Sequence, residues 1–174
     1  MSDTFITVIV IFLAAILMFV FPLMAVSNTQ DDVSKVAVQS AVSEFVSNVA
    51  SKGKLTQEDY SALIAKINAT GNSYDVQLEH KIMTVNPNKA ANDQIGENIY
   101  YVVYNTAILE DGIDKDANGE YILKKGDYFT CTVKNTNTTM ATQIKNFVYS
   151  IVGKDTYTIA ASASALVVNT GSKS

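Results

Sequence analysis

"SDTFITVIVIFLAAILMFVFPLMAVSNTQDDVSK", Ser2 to Lys35, decides how the rest of the chain is read. From Phe5 to Val26 it runs for 22 residues without a charge, and only Thr7 and Pro22 interrupt the apolar run. A helix of that length rises about 33 Å, enough to cross a hydrocarbon core of about 30 Å. Fifteen of its residues are Leu, Ile, Val or Phe. At about −0.3 to −0.6 kcal/mol each they favour the bilayer by roughly 4 to 9 kcal/mol. A soluble core helix rarely runs so far without a charge, so the segment reads as a single transmembrane helix.

Ala25-Val26-Ser27 offers small residues where a signal peptidase reads, but Met1 to Thr4 has no Lys or Arg. The apolar run also exceeds a usual signal core of about 7 to 15 residues. The expectation is a retained signal anchor: a short tail and transmembrane helix over residues 1–27, then one domain over 28–174. Only Lys35 lies near either end of the span, so basic residues give no orientation.

Residues 28–174 are polar and rich in Asn, Thr and Ser, enough to bury one core. A net charge of −4 with scattered lysines offers no basic patch for nucleic acid. One cysteine, Cys131, excludes an intramolecular disulfide.

The helix is expected to continue past the membrane, over 28–53. Val38, Ala41, Val42, Phe45 and Val49 form one stripe, and Gly53 is placed to end it. A second helix starts at Thr56, with Asp59 in capping-box position and Leu55 and Tyr60 spaced as a staple. Tyr60, Leu63, Ile64 and Ile67 form its buried face, and Gly71 closes it.

"SYDVQLEHKIM" (73–83) alternates as a strand with Tyr74, Val76, Leu78, His80 and Ile82 inward. A loop around Pro87 precedes a second strand, "IYYVVYNTAIL" (99–109). "EYILKKGDYFTCTV" (120–133) reads as one strand or two short ones, with Phe129, Cys131 and Val133 on one side. "TTMATQIKNFVYSIVG" (138–153) has helical spacing, with Met140, Ile144, Phe147 and Ile151 on its apolar face. "YTIAASASALVV" (157–168) is a last strand whose Ala and Ser row would let a helix approach closely. The order predicts an α+β fold: a mainly antiparallel sheet with helices packed on it, carried on the membrane helix.

Little here suggests chemistry. His80 is the only histidine, so neither a zinc cluster nor a Ser-His-Asp triad can be assembled. His80 and Cys131 both fall on inward strand faces and read as core residues. "DKDANGE" (114–120) matches the first half of a calcium loop, with Asp114, Asp116, Asn118 and Glu120 as candidate ligands and Gly119 for the turn. Lys125 stands where the bidentate Glu belongs. A polar hairpin tip with a type I′ turn at Asn118-Gly119 is the favoured reading. Asn68-Ala69-Thr70 and Asn137-Thr138-Thr139 match glycosylation sequons, which would carry no weight were the protein bacterial. No enzyme activity and no cofactor is expected.

"FVSNVASKGKLTQEDYSALIAKINATGNSYDVQLEHK" (45–81), "LKKGDYFTCTVKNTNT" (123–138) and "YTIAASASALV" (157–167) resemble small membrane-anchored proteins found with Tad-type (tight adherence) pilus genes in clostridia-like bacteria, described as pseudopilins or minor pilins. The resemblance implies a component of a surface pilus or related secretion apparatus. Its domain would lie outside the cell, its partners being the lipid bilayer, other subunits and further copies of itself. Pilins cut by a prepilin peptidase carry a basic leader, a glycine before the cut and a glutamate five residues into the mature helix. Met1 to Thr4 has neither glycine nor basic residue, and Asp3 is the only acid near the start. Processing by that peptidase is therefore not expected. A permanently anchored extracellular binding or sensing module is the alternative.

Overall fold

The computed structural model describes residues 2–83, 100–105, 107–113, 118–137, 143 and 160–172. Helix α1 runs unbroken over Ser2–Lys52, 51 residues or about 76 Å, with Pro22 inside it. Among the described residues six strands follow: β1 (Lys54–Thr56), β2 (Tyr74–Met83), β3 (Tyr100–Tyr104), β4 (Glu120–Ile122), β5 (Tyr128–Asn135) and β6 (Ala160–Leu166). Helix α2 (Gln57–Asn68) lies between β1 and β2. The fold is α+β. One four-stranded antiparallel sheet has the order β3-β2-β5-β6, and β1 pairs antiparallel with β4.

The two halves of α1 live in different surroundings. No part of its most apolar stretch is buried by the protein, and Phe5 to Phe21 lie open. Further along, Val38, Ala41, Val42, Phe45 and Val49 are all buried, as the spacing predicts, together with Val46 and Ala50. The stripe begins earlier than its apolar residues, since Asp31 and Ser34 are also buried. This half of α1 packs against β6 and β5. Ala161, Ala163 and Ala165 of β6 face the core, and their small side chains let the helix come close. Phe45 meets Phe129 of β5 edge to face, ring centres 6.0 Å apart. On the opposite face of the sheet, Thr130 pairs with Ser164 and Thr132 with Ser162 through their hydroxyls, both at 2.9 Å.

The end of α1 is closed by chain far away in sequence. Gly53 takes φ +68°, a left-handed conformation that suits glycine. A Cβ there would also strike the Asn169 carbonyl. Val168 N–H donates to Ala50 C=O (3.2 Å) and the Asn169 amide to Ser51 C=O (2.8 Å), satisfying carbonyls the helix leaves orphaned. Thr56 caps α2, its hydroxyl accepting from Asp59 N–H at 3.1 Å and donating to the Asp59 carboxylate at 2.8 Å.

One expectation is corrected: the strand expected over 99–109 stops at Tyr104, and Ala107–Ile113 forms a π-helical turn. Asn105 ends it: its side chain accepts from Leu78 N–H (2.9 Å) and donates to Val76 C=O (2.8 Å), taking the place of another strand residue. Ile108 and Ile113 then turn into the core. Lys54–Thr56, which leads into the helix capped by Thr56, forms the short strand β1. Of the segment read as a hairpin tip, residues 114–117 lie outside the described residues; Gly119 has φ +64°, and the strand that follows pairs with the distant β1. Of the helix expected over 138–153 only residue 143 is described, and it is helical; the loop around Pro87 lies outside the described residues.

The stripe on α1 should be sensitive to single changes. Phe45→Ala is expected to cost about 3 to 5 kcal/mol of domain stability. Phe45→Asp, which buries a charge as well, should lower protein abundance in cells. Thermal unfolding of the detergent-solubilised protein and immunoblotting would read the two effects. Wild-type behaviour of Phe45→Asp would mean that the helix is not fixed to the sheet.

Candidate functional site

Of the residues singled out for metal binding, Asp114 and Asp116 lie outside the described residues. Asn118 is exposed, and Glu120 is buried at the start of β4. The Glu120 carboxylate accepts from the Lys54 ammonium at 2.7 Å across the β1–β4 pair, with both side chains largely covered. A ligand engaged in that way has to break an ion pair before it can reach a cation. Among the described residues, no group of three or more His, Cys, Asp or Glu is placed to hold a metal.

His80 is the centre of a polar network that the spacing alone does not reveal. On β2 it is buried, flanked in register by Val103 of β3 and Phe129 of β5. Its Nδ1 lies 2.8 Å from the Tyr121 hydroxyl and its Nε2 lies 3.0 Å from Asp127 Oδ2. Asp127 is buried too, and also accepts from Met83 N–H (2.9 Å) and Lys124 N–H (3.0 Å). Burial pushes the His80 pKa below its usual value, although the Asp127 carboxylate pulls the other way. A neutral imidazole that donates from Nε2 to Asp127 and accepts the Tyr121 proton at Nδ1 satisfies every partner. Burial, reinforced by Asp127, raises the Tyr121 hydroxyl to about 12, and burial raises the Cys131 thiol to about 12. Neither is activated as a nucleophile. The network joins β2, β4 and the turn before β5, and acts as a polar rivet between the two sheets. Asp127 shares the inward phase of Phe129, Cys131 and Val133, and that phase was its one signal in the sequence.

Two features face outward. One is the bare apolar half of α1. The other is a groove of about 680 Å³ beyond the apolar run of α1, lined by Val26, Gln30, Val33 and Ala37 of α1 and by Ala69 and Thr70 after α2. Lys66 stands at its edge, its ammonium 2.7 Å from Glu44.

His80 sets a pH dependence. The unfolded chain protonates near pH 6.5, whereas the folded domain holds the ring neutral to lower pH. Its contribution is therefore fully present above about pH 6.5 and is lost as pH falls through the lower folded value. The unfolding temperature should drop between pH 7.5 and 5.5, and His80→Gln should flatten that slope while costing about 1 to 3 kcal/mol at neutral pH. An equal slope in both proteins would exclude His80 as its source. For the acidic segment, calorimetry with calcium on the full-length protein is expected to show no micromolar site. A site lost in Asp114→Ala would overturn that expectation.

Comparison with protein-family models, with curated proteins and with solved structures finds no match for this chain.

Proposed function

We propose that this protein is a structural or accessory component of a Tad-type surface pilus or related secretion apparatus, a minor pilin or pseudopilin in character and not an enzyme. It sits in the cell membrane by a single helix with its domain outside, and its partners are the bilayer, other subunits of the apparatus and further copies of itself. One observation carries this reading. The apolar half of α1 and the half docked in the domain core belong to one unbroken helix, Ser2–Lys52. A tethered sensor is better served by a Gly- or Pro-rich linker, and residues 27–52 contain neither. With the domain fixed to its shaft, the position of the shaft sets the position of the domain, as stacking of subunits requires. The second reading, an anchored extracellular binding module, draws on the groove beside α1.

Shearing the native cells tests the choice. Protein in the sheared filament fraction, at full length by mass spectrometry, is the expected result. Protein confined to membranes, with piliation unchanged after deletion of the gene, would reject the pilus role.

A further inference from the structure

The chain enters β4 through Asn118 and Gly119. Gly119 takes φ +64°, and its carbonyl accepts from Gln57 N–H at 3.3 Å. Gln57 opens α2, so that bond satisfies a donor which the first turn of a helix leaves without an intrahelical partner. The next residue, Glu120, lies opposite Thr56 of β1, and its carboxylate accepts from the Lys54 ammonium. Asn118 is the one asparagine of the chain that glycine follows; after every other the next residue carries a Cβ. It is also exposed, so water reaches its side chain.

We propose that Asn118 modifies itself, with water as the co-reactant, into a mixture of aspartate and isoaspartate. The Gly119 amide nitrogen attacks Asn118 Cγ and gives up its proton. The new C–N bond closes a five-membered succinimide as the Cγ–Nδ2 bond breaks and ammonia carries the proton away. The chain itself holds the two groups together, so a bond rotation replaces a collision. Glycine at 119 favours the step, because no Cβ crowds the nitrogen and its backbone has the widest freedom. Water then opens the ring, at Cγ to give aspartate or at the Asn118 backbone carbonyl carbon to give isoaspartate. Each route replaces one amide by one carboxylate, releases one ammonia and transfers no electrons. The two products act differently on the fold. Aspartate keeps the path of the chain and adds a negative charge beside the start of α2, where the helix dipole favours it. A Cβ on Gly119 would lie 3.8 Å from Gln57 Cβ, so the site abuts that start. Isoaspartate routes the main chain through Cβ and Cγ and lengthens it by one C–C bond, about 1.5 Å. Gly119 C=O is then drawn off Gln57 N–H, or Glu120 leaves its place opposite Thr56. The β1–β4 pair and the start of α2 loosen, while the four-stranded sheet keeps its register. None of this depends on the filament reading.

Peptide mapping by mass spectrometry of the full-length protein, aged in dodecyl maltoside at pH 8.5, tests it. The tryptic peptide over 116–124 should gain the mass of NH2 replaced by OH and split into two isomers. One of them should accept a methyl group from isoaspartate methyltransferase. Conversion should run several-fold faster than at Asn72 or Asn169, and several-fold slower at pH 6.0, where the Gly119 nitrogen gives up its proton less readily. Asn118→Gln, which would have to close a six-membered ring, should stay unmodified over the same period. Conversion of Asn118 no faster than that of Asn72 or Asn169, or equal conversion in Asn118→Gln, would overturn the proposal. Hydrogen exchange separates the two products. Amides over 54–58 should exchange several-fold faster in aged than in fresh wild type, while fresh Asn118→Asp should match fresh wild type. Isoaspartate without faster exchange would overturn the loosening, and so would Asn118→Asp exchanging as fast as the aged protein, because charge and not chain length would then be its source.

Discussion

The packing of the valine and phenylalanine stripe of α1 onto the alanine row of β6 and the inward face of β5 is the contact on which the rest depends. It joins a helix long and apolar enough to cross a membrane to a small domain. The stripe stabilises by burial: each fully covered Val or Phe is worth about 1.5 to 3 kcal/mol. The alanines supply proximity, because Cβ methyl groups at Ala161, Ala163 and Ala165 leave room for the helix that larger residues would take. Ser162 and Ser164 in between turn the other way and pair with threonines of β5. The period of two in "AASASAL" thus separates a dry face for the helix from a hydroxyl-lined face for water.

That body is locked at its far end by polar contacts. The C-terminal segment closes the last turn of α1 through Val168 and Asn169. Leu123 then links the two, its N–H donating to Gly53 C=O at 2.8 Å and its C=O accepting from Gly171 N–H at 3.0 Å. Tyr121, His80 and Asp127 tie the small β1–β4 pair to the main sheet a few residues away. Helix end, small sheet and large sheet therefore share one network, and loosening any of them exposes buried polar groups in the other two.

Elements set by local patterns were legible in the sequence. The stripe on α1, the capped start of α2, the alternation of β2 and the small residues of β6 each follow from spacing or from one capping residue. What was not legible depends on partners distant in the chain. β1 is three residues long and exists because Glu120–Ile122 lies beside it. The early end of β3 is the work of Asn105, whose side chain imitates a strand, and apolar residues continuing to Leu109 conceal it. His80 could be read as a core residue. Its partners Tyr121 and Asp127 lie 41 and 47 residues away, and only the strand register brings them together. The ion pair of Glu120 with Lys54 was not legible either, because it crosses a strand pair that no local signal announces.

A continuous helix from apolar half to docked half would change the energetics of leaving a membrane. The apolar half of α1 gains roughly 4 to 9 kcal/mol from lipid, and extraction forfeits that gain unless another apolar surface replaces it. A domain on a flexible tether can bind partners without moving its anchor, so nothing would couple the two events. Here no linker absorbs the motion, because α1 runs unbroken into the core. Any displacement of the domain along the helix axis pulls the span by the same distance, and each turn lifted out needs cover at once. On the proposed reading, the apolar half of α1 is thus an anchor while the protein is alone and becomes a building element once neighbouring copies provide that cover.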